Sequence, residues 1–180
     1  MMAFIPLSMI ALGALSVTSL ESERAVTADV AVNAGIDAVW EAWTTEEGIK
    51  TFFAPACKVE LRVLGTYDIY FNPQAPPGQR GAEGNLILAI QPKKMLSFTW
   101  DAPPHLPNVR GQRTSVVIRF NELDNNKTRV TLAETGWGEG EEWDKAFAYF
   151  SSAWKDVVLA RLKHRFEVGP IDWKNPPQGK

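Results

Sequence analysis

Between Glu141 and Phe166 large apolar residues recur at spacings of four, three, four and three: Trp143, Phe147, Phe150, Trp154 and Val157. That spacing lays them along one stripe of a single α-helix, about 39 Å long at 1.5 Å per residue. Glu139, Glu141, Glu142 and Asp144 at its start, and Lys163, His164 and Arg165 at its end, complement the helix dipole. A stripe of such bulk has to be covered, and the preceding sequence supplies the cover. From Cys57 to Leu132 apolar residues alternate with a period of two, the pattern of half-buried strands. Cys57–Val59–Leu61, Tyr67–Ile69–Phe71, Leu86–Leu88–Ile90, Leu96–Phe98–Trp100, Val116–Ile118–Phe120 and Val130–Leu132 predict a six-strand antiparallel meander. No strand–helix alternation is present, which argues against a parallel sheet. Upstream, Val26 to Val32 alternates as another strand. Ile36, Val39, Trp40 and Trp43 follow as a short amphipathic helix, and Thr44 with Glu47 forms a capping box for a second one, stopped by Pro55. The predicted class is α+β: a curved antiparallel sheet around a long C-terminal helix, with two short helices after the first strand.

Seven Trp and nine Phe in 180 residues call for an aromatic-rich core or an aromatic-lined cavity. A net charge of −2 lacks the basic excess of a nucleic-acid binder, so no nucleic acid is expected as partner. The single cysteine, Cys57, excludes an internal disulfide framework and a multi-cysteine zinc site, and is expected as a buried small hydrophobe. His105 and His164 are far apart and no triad can be assembled around either. No metal and no cofactor are expected.

Residues 1–20 carry no charged side chain and have an apolar centre from Met9 to Leu15. Small residues at Ala14 and Ser16, or Val17 and Ser19, offer cleavage positions, so the segment resembles a secretory signal peptide that lacks the usual basic start. Export is the expectation, with no stable membrane span after cleavage; a mis-assigned start on a cytoplasmic protein is the alternative. The division is a leader (1–20), one domain (21–167) and a Pro-rich tail (168–180) without periodic signal.

Four blocks, in order, carry a family resemblance: Ile36-Asp37-Ala38-Val39-Trp40-Glu41-Ala42-Trp43-Thr44; Gly84 to Trp100 with its Pro-Lys-Lys turn; Thr128-Arg129-Val130-Thr131-Leu132; and Gly136-Trp137-Gly138 leading to Glu142-Trp143, with Trp154 beyond. Together they resemble the START-like, or SRPBCC, superfamily, and within it the homologues of the heat shock protein 90 ATPase activator. The resemblance covers about Arg24 to Phe166. It implies a helix-grip fold with an internal cavity for small apolar ligands. The long Pro- and Gly-rich loops Asn72–Glu83 and Asp101–Arg113, and the apolar leader, depart from the family pattern.

The expected cavity lining is Trp40, Trp43, Phe53, Tyr67, Ile69, Phe98, Trp100, Phe120, Glu134, Trp143, Phe147, Phe150 and Trp154; the alternative is that these rings fill a solid core. In a meander the loops 72–83, 101–113 and 136–140 emerge at one end of the sheet, which places Arg80, His105, Arg110 and Trp137 at the cavity mouth. Glu134 continues the face of Val130 and Leu132; buried there, its pKa would rise, while a strand-end position would leave it in water. The expected function is non-catalytic binding or carriage of a small hydrophobic molecule. The first alternative is a chaperone-ATPase-activator-like interaction domain, its protein partner unspecified. The second is a cyclase- or hydrolase-type enzyme using Glu134, Tyr67 or His105.

Overall fold

The computed structural model describes residues 23–124 and 126–176. The leader read at residues 1–20 lies outside them. Strand β1 (Val26–Val32) is followed by helices α1 (Ile36–Thr44) and α2 (Glu46–Lys50). The α2 cap is Thr45 rather than Thr44: the Thr45 hydroxyl accepts from the Gly48 amide at 3.0 Å, while the buried Thr44 hydroxyl donates back to the Trp40 carbonyl at 2.7 Å. One residue decides which threonine leaves the helical backbone, and Thr44 stays inside α1.

The strands form two sheets, which corrects the single meander. Strands β5 (Ile87–Gln91), β6 (Met95–Asp101), β7 (Arg113–Leu123) and β8 (Lys127–Thr135) run as a meander, and β1 closes the far side in the order β1-β8-β7-β6-β5. Strands β2 (Ala56–Val59), β3 (Tyr67–Tyr70) and the two-residue β4 (Gly81–Ala82) make a separate antiparallel sheet. The two sheets touch at a lone Thr66–Leu86 bridge. Just beyond it the Asp68 carboxylate accepts from the Gly84 and Asn85 amides at 2.7 and 3.1 Å. A side chain thus takes amides that a continuing ladder would use, and β3 diverges from β5.

In β5 the predicted face is also inverted. Leu86 and Leu88 are exposed and Ile87 is fully buried, with an irregularity between Ile87 and Ala89. A slip of one residue exchanges the two faces of a strand. Leu61 and Phe71, predicted inward, are likewise largely exposed.

After the one-turn helix α3 (Pro107–Arg110), a 27-residue helix lies across the sheets. It comprises α4 (Glu141–Ser152), a π-helical segment (Ala153–Leu159) and α5 (Ala160–Glu167). The wider turns bring Trp154 and Leu159, five residues apart, both to 1% exposure. A regular helix would rotate one of them off the sheet. The tail, read as featureless, is tied back onto α2: the Ile171 amide donates to the Thr51 carbonyl at 2.9 Å and the Trp173 indole to the Lys50 carbonyl at 2.6 Å. Ile171 is buried. The curved antiparallel sheet gripping one long helix is the helix-grip fold. Among the described residues no helix is long and apolar enough to cross a membrane.

Candidate functional site

Most of the aromatic set forms a packed interior. Trp40 meets Phe120 edge-on at 5.3 Å, Trp43 meets Phe52 and Phe53 at 5.0 and 5.5 Å, and Tyr67 stacks on Phe98 at 4.4 Å. The Tyr67 hydroxyl donates to the Trp43 carbonyl, and Ile69 is fully enclosed beside them. Trp143 belongs to a second cluster with Ala102, Leu106, Val109 and Ala146. Trp137 joins the two clusters, packing on Trp143, Phe147 and Phe150 and donating its indole N–H to the Glu134 carbonyl at 3.0 Å. Phe147 carries the Arg24 guanidinium on its ring, 4.3 Å from the centre.

One space is left. A cavity of about 310 Å³ lies between the π segment, strand β4 and the loop that follows β6. Its walls include Phe53, Trp100, Phe150 and Trp154 from the predicted lining. Trp40, Trp43, Tyr67, Ile69, Phe98, Phe120, Glu134, Trp143 and Phe147 are not among its wall residues. They pack the core, so for these nine the solid-core alternative describes their place. The rest of the wall is Phe71, Tyr149, Val157, Val158, Pro103 and Pro104, the charged Asp101, Arg110 and Arg161, and the small residues Gly81, Ala82, Ala102 and Ala153. The small residues explain the space: large rings surround four positions that contribute a methyl group or nothing. Gly81 is fixed by its backbone, which has φ +151°, and a side chain there would run into the Ile69 carbonyl. The sequence signal for this wall was the four-residue row Tyr149, Ala153, Val157, Arg161, adjacent to the stripe of bulkier residues.

Of the four residues assigned to the mouth, Arg110 lines the cavity. Its guanidinium pairs with Asp101 at 2.8 Å and donates to the carbonyls of Ala102, Gly81 and Gly78, the last two at 2.6 and 3.2 Å. It is the clamp that joins the two long loops. Asp101 also accepts from Asn85 at 2.9 Å and pairs with Arg113 at 3.3 Å. Burial nevertheless holds the Asp101 pKa above the usual carboxylate value, against the pull of these partners. Arg80 sits elsewhere, paired with Glu83 at 2.7 Å and lying over Tyr70. His105 is exposed and meets the rim residue Tyr149 edge-on at 6.2 Å. Asn108 ties the 101–113 loop to the start of α4 through Glu142.

Glu134 is fully buried directly behind the cavity wall. It accepts from the Thr114 hydroxyl at 2.6 Å and from the indole N–H of Trp154 at 2.5 Å. Desolvation raises its pKa to about 7 despite these two donors. Thr114 has one proton and a second acceptor, the Trp100 carbonyl at 3.3 Å. A protonated Glu134 can therefore donate to the Thr114 oxygen while Thr114 turns to Trp100. Glu134 thus fixes two cavity walls, Trp100 and Trp154, from behind. Cys57 is buried as expected; desolvation, then the neighbouring Glu46, pushes its thiol to about 12, which leaves it inert near neutrality.

The curved sheet around one long helix, with a cleft between them, defines a helix-grip protein of the START-like class. More narrowly, the family model for Activator of Hsp90 ATPase homolog 1-like protein matches residues 33–167, and the chain belongs to that family. Similar solved structures include the Aha1 dimer from Colwellia psychrerythraea, with 20% identity and a TM-score of 0.62 over 81% of this chain and 98% of that one. CalU16 from Micromonospora echinospora has 20% identity and a TM-score of 0.61 over 82% and 77%. PFC0360w, an Hsp90 activator from Plasmodium falciparum, has 13% identity and a TM-score of 0.59 over 80% and 94%. At these identities the likeness shows the fold. No match was found among curated proteins.

Proposed function

We propose that the protein binds a small hydrophobic molecule in the cavity between the π segment, strand β4 and the loop after β6, without catalysis. The carrying observation is the cavity itself: about 310 Å³, walled largely by aromatic and aliphatic side chains. That is the lower end of the range for small-molecule sites and suits a guest of two or three fused or linked rings. Affinity comes from apolar burial, at roughly 25 cal/mol per Å². The acid–base candidates stand apart from the space: Tyr67 and Glu134 are spent on internal hydrogen bonds and His105 lies outside the wall. This arrangement favours holding a guest over transforming it. The test is mass spectrometry of organic extracts from protein purified out of its native host. A molecule recovered in proportion to protein, and lost from the cavity-filling variant Ala153→Phe, supports binding. Equal extracts from both proteins would remove the support.

A second reading, regulation of a chaperone ATPase through a protein interface, is favoured by the family and by one surface feature. Leu61, Val63, Leu64, Leu86 and Leu88 are exposed around the junction of the two sheets. Stimulation of an Hsp90-type ATPase by the wild type, and its loss in Leu64→Asp, would establish this reading; an unchanged ATPase rate would dismiss it.

A further inference from the structure

Three charged residues line the cavity: Asp101, Arg110 and Arg161. The first two neutralise one another, and Arg110 is further occupied by three carbonyl groups. Arg161 differs. Among the described residues it has no carboxylate within ion-pair distance, and its Nε is buried without a hydrogen-bond partner. Its guanidinium lies over the Trp173 ring at 5.3 Å, and Trp173 is itself anchored to the Lys50 carbonyl. The tail therefore backs the side chain from the outer side. Burial pulls the guanidinium below its usual pKa, the mark of a charge that lacks compensation. A guanidinium offers donors only, so whatever completes it has to bring acceptors, and a planar anionic group matches its fork.

Building on the binding function proposed above, we propose that the guest is an amphipathic aromatic anion, its rings in the Phe53–Trp100–Phe150–Trp154 space and its carboxylate or sulfonate on Arg161. The geometry gives the molecule a direction. Its apolar body enters past the half-exposed rings of Phe71 and Tyr149, and the acidic end stays beside the C-terminal half of the helix.

A matched pair of fluorescent probes tests this. 1-Anilinonaphthalene-8-sulfonate and N-phenyl-1-naphthylamine share their rings and differ in the sulfonate. The wild type is expected to bind the anion more tightly by roughly tenfold or more, the scale of a charge-assisted hydrogen bond. Arg161→Gln abolishes that preference and leaves the neutral probe unchanged, Arg161→Lys retains part of it, and Ala153→Phe weakens both probes. If both probes bind and the preference survives in Arg161→Gln, the assignment of Arg161 is overturned while the binding function stands. If neither probe binds, the cavity is not a site and both proposals fall. Should Arg161→Gln not fold, sodium chloride titration of the wild type decides: salt has to weaken the anionic probe selectively, and parallel salt dependence of the two probes overturns the assignment.

Discussion

Glu134 shows how one side chain can hold a wall and set a pH dependence. Its folded pKa of about 7 lies above the ordinary carboxyl value of 4.5. Between those pH values the native state therefore binds more protons than the unfolded chain. Stability contributed by the neutral form is fully present below about pH 4.5 and is lost as pH rises through 7. The difference corresponds to about 3 kcal/mol at most. Glu134→Gln removes the titration: urea unfolding at pH 5 and pH 8 is expected to show the variant gaining on the wild type by up to that amount at the higher pH. A pH-independent difference would contradict the account. The sequence puts Glu134 in the inward row with Val130 and Leu132. Whether a strand-end residue reaches water depends on what lies across it, and here that is Val26 on β1, Val116 on β7 and the Trp154 indole. Those contacts are long-range, so alternation alone does not reveal them.

At the scale of elements, local rules succeed where one interaction dominates and fail where two compete. The stripe Trp143, Phe147, Phe150, Trp154 identifies the long helix because its bulk can only be buried. Its π segment is invisible in the pattern, since the extra residue is accommodated between Trp154 and Leu159 with no Gly or Pro to announce it. The cap of α2 misses by one position because Thr44 and Thr45 are both capable and only backbone geometry separates them. Thr45→Ala is expected to cost about 1 kcal/mol in chemical unfolding. The tail carries no periodicity because Ile171 and Trp173 act singly, as a plug and a bracket on α2. Trp173→Ala removes the indole bond to Lys50 and the ring under Arg161; a loss of about 1–2 kcal/mol is expected by the same measurement. Unchanged stability would mean that the tail rests on the domain without bracing it.

For the whole molecule, composition and order of elements lead to the helix-grip architecture, and the site is only partly legible. Four of the thirteen residues read as lining (Phe53, Trp100, Phe150 and Trp154) meet the cavity, because ring-rich sequence marks where bulk is buried. A cavity is the complement of bulk. Its position follows from Gly81, Ala82, Ala102 and Ala153 converging from three separate segments, a coincidence in space that no single stretch of sequence displays. The divergence of the two sheets at Asp68 adds to this by moving β4 under the helix. Ala153 is the position where the space can be closed with one substitution. Titration of N-phenyl-1-naphthylamine into the wild type and Ala153→Phe, with thermal unfolding alongside, tests whether this space takes a guest. A saturable fluorescence rise with one probe per chain is predicted for the wild type, and affinity at least about tenfold weaker for a variant that is no less stable. Superimposable isotherms for the two proteins would contradict the account.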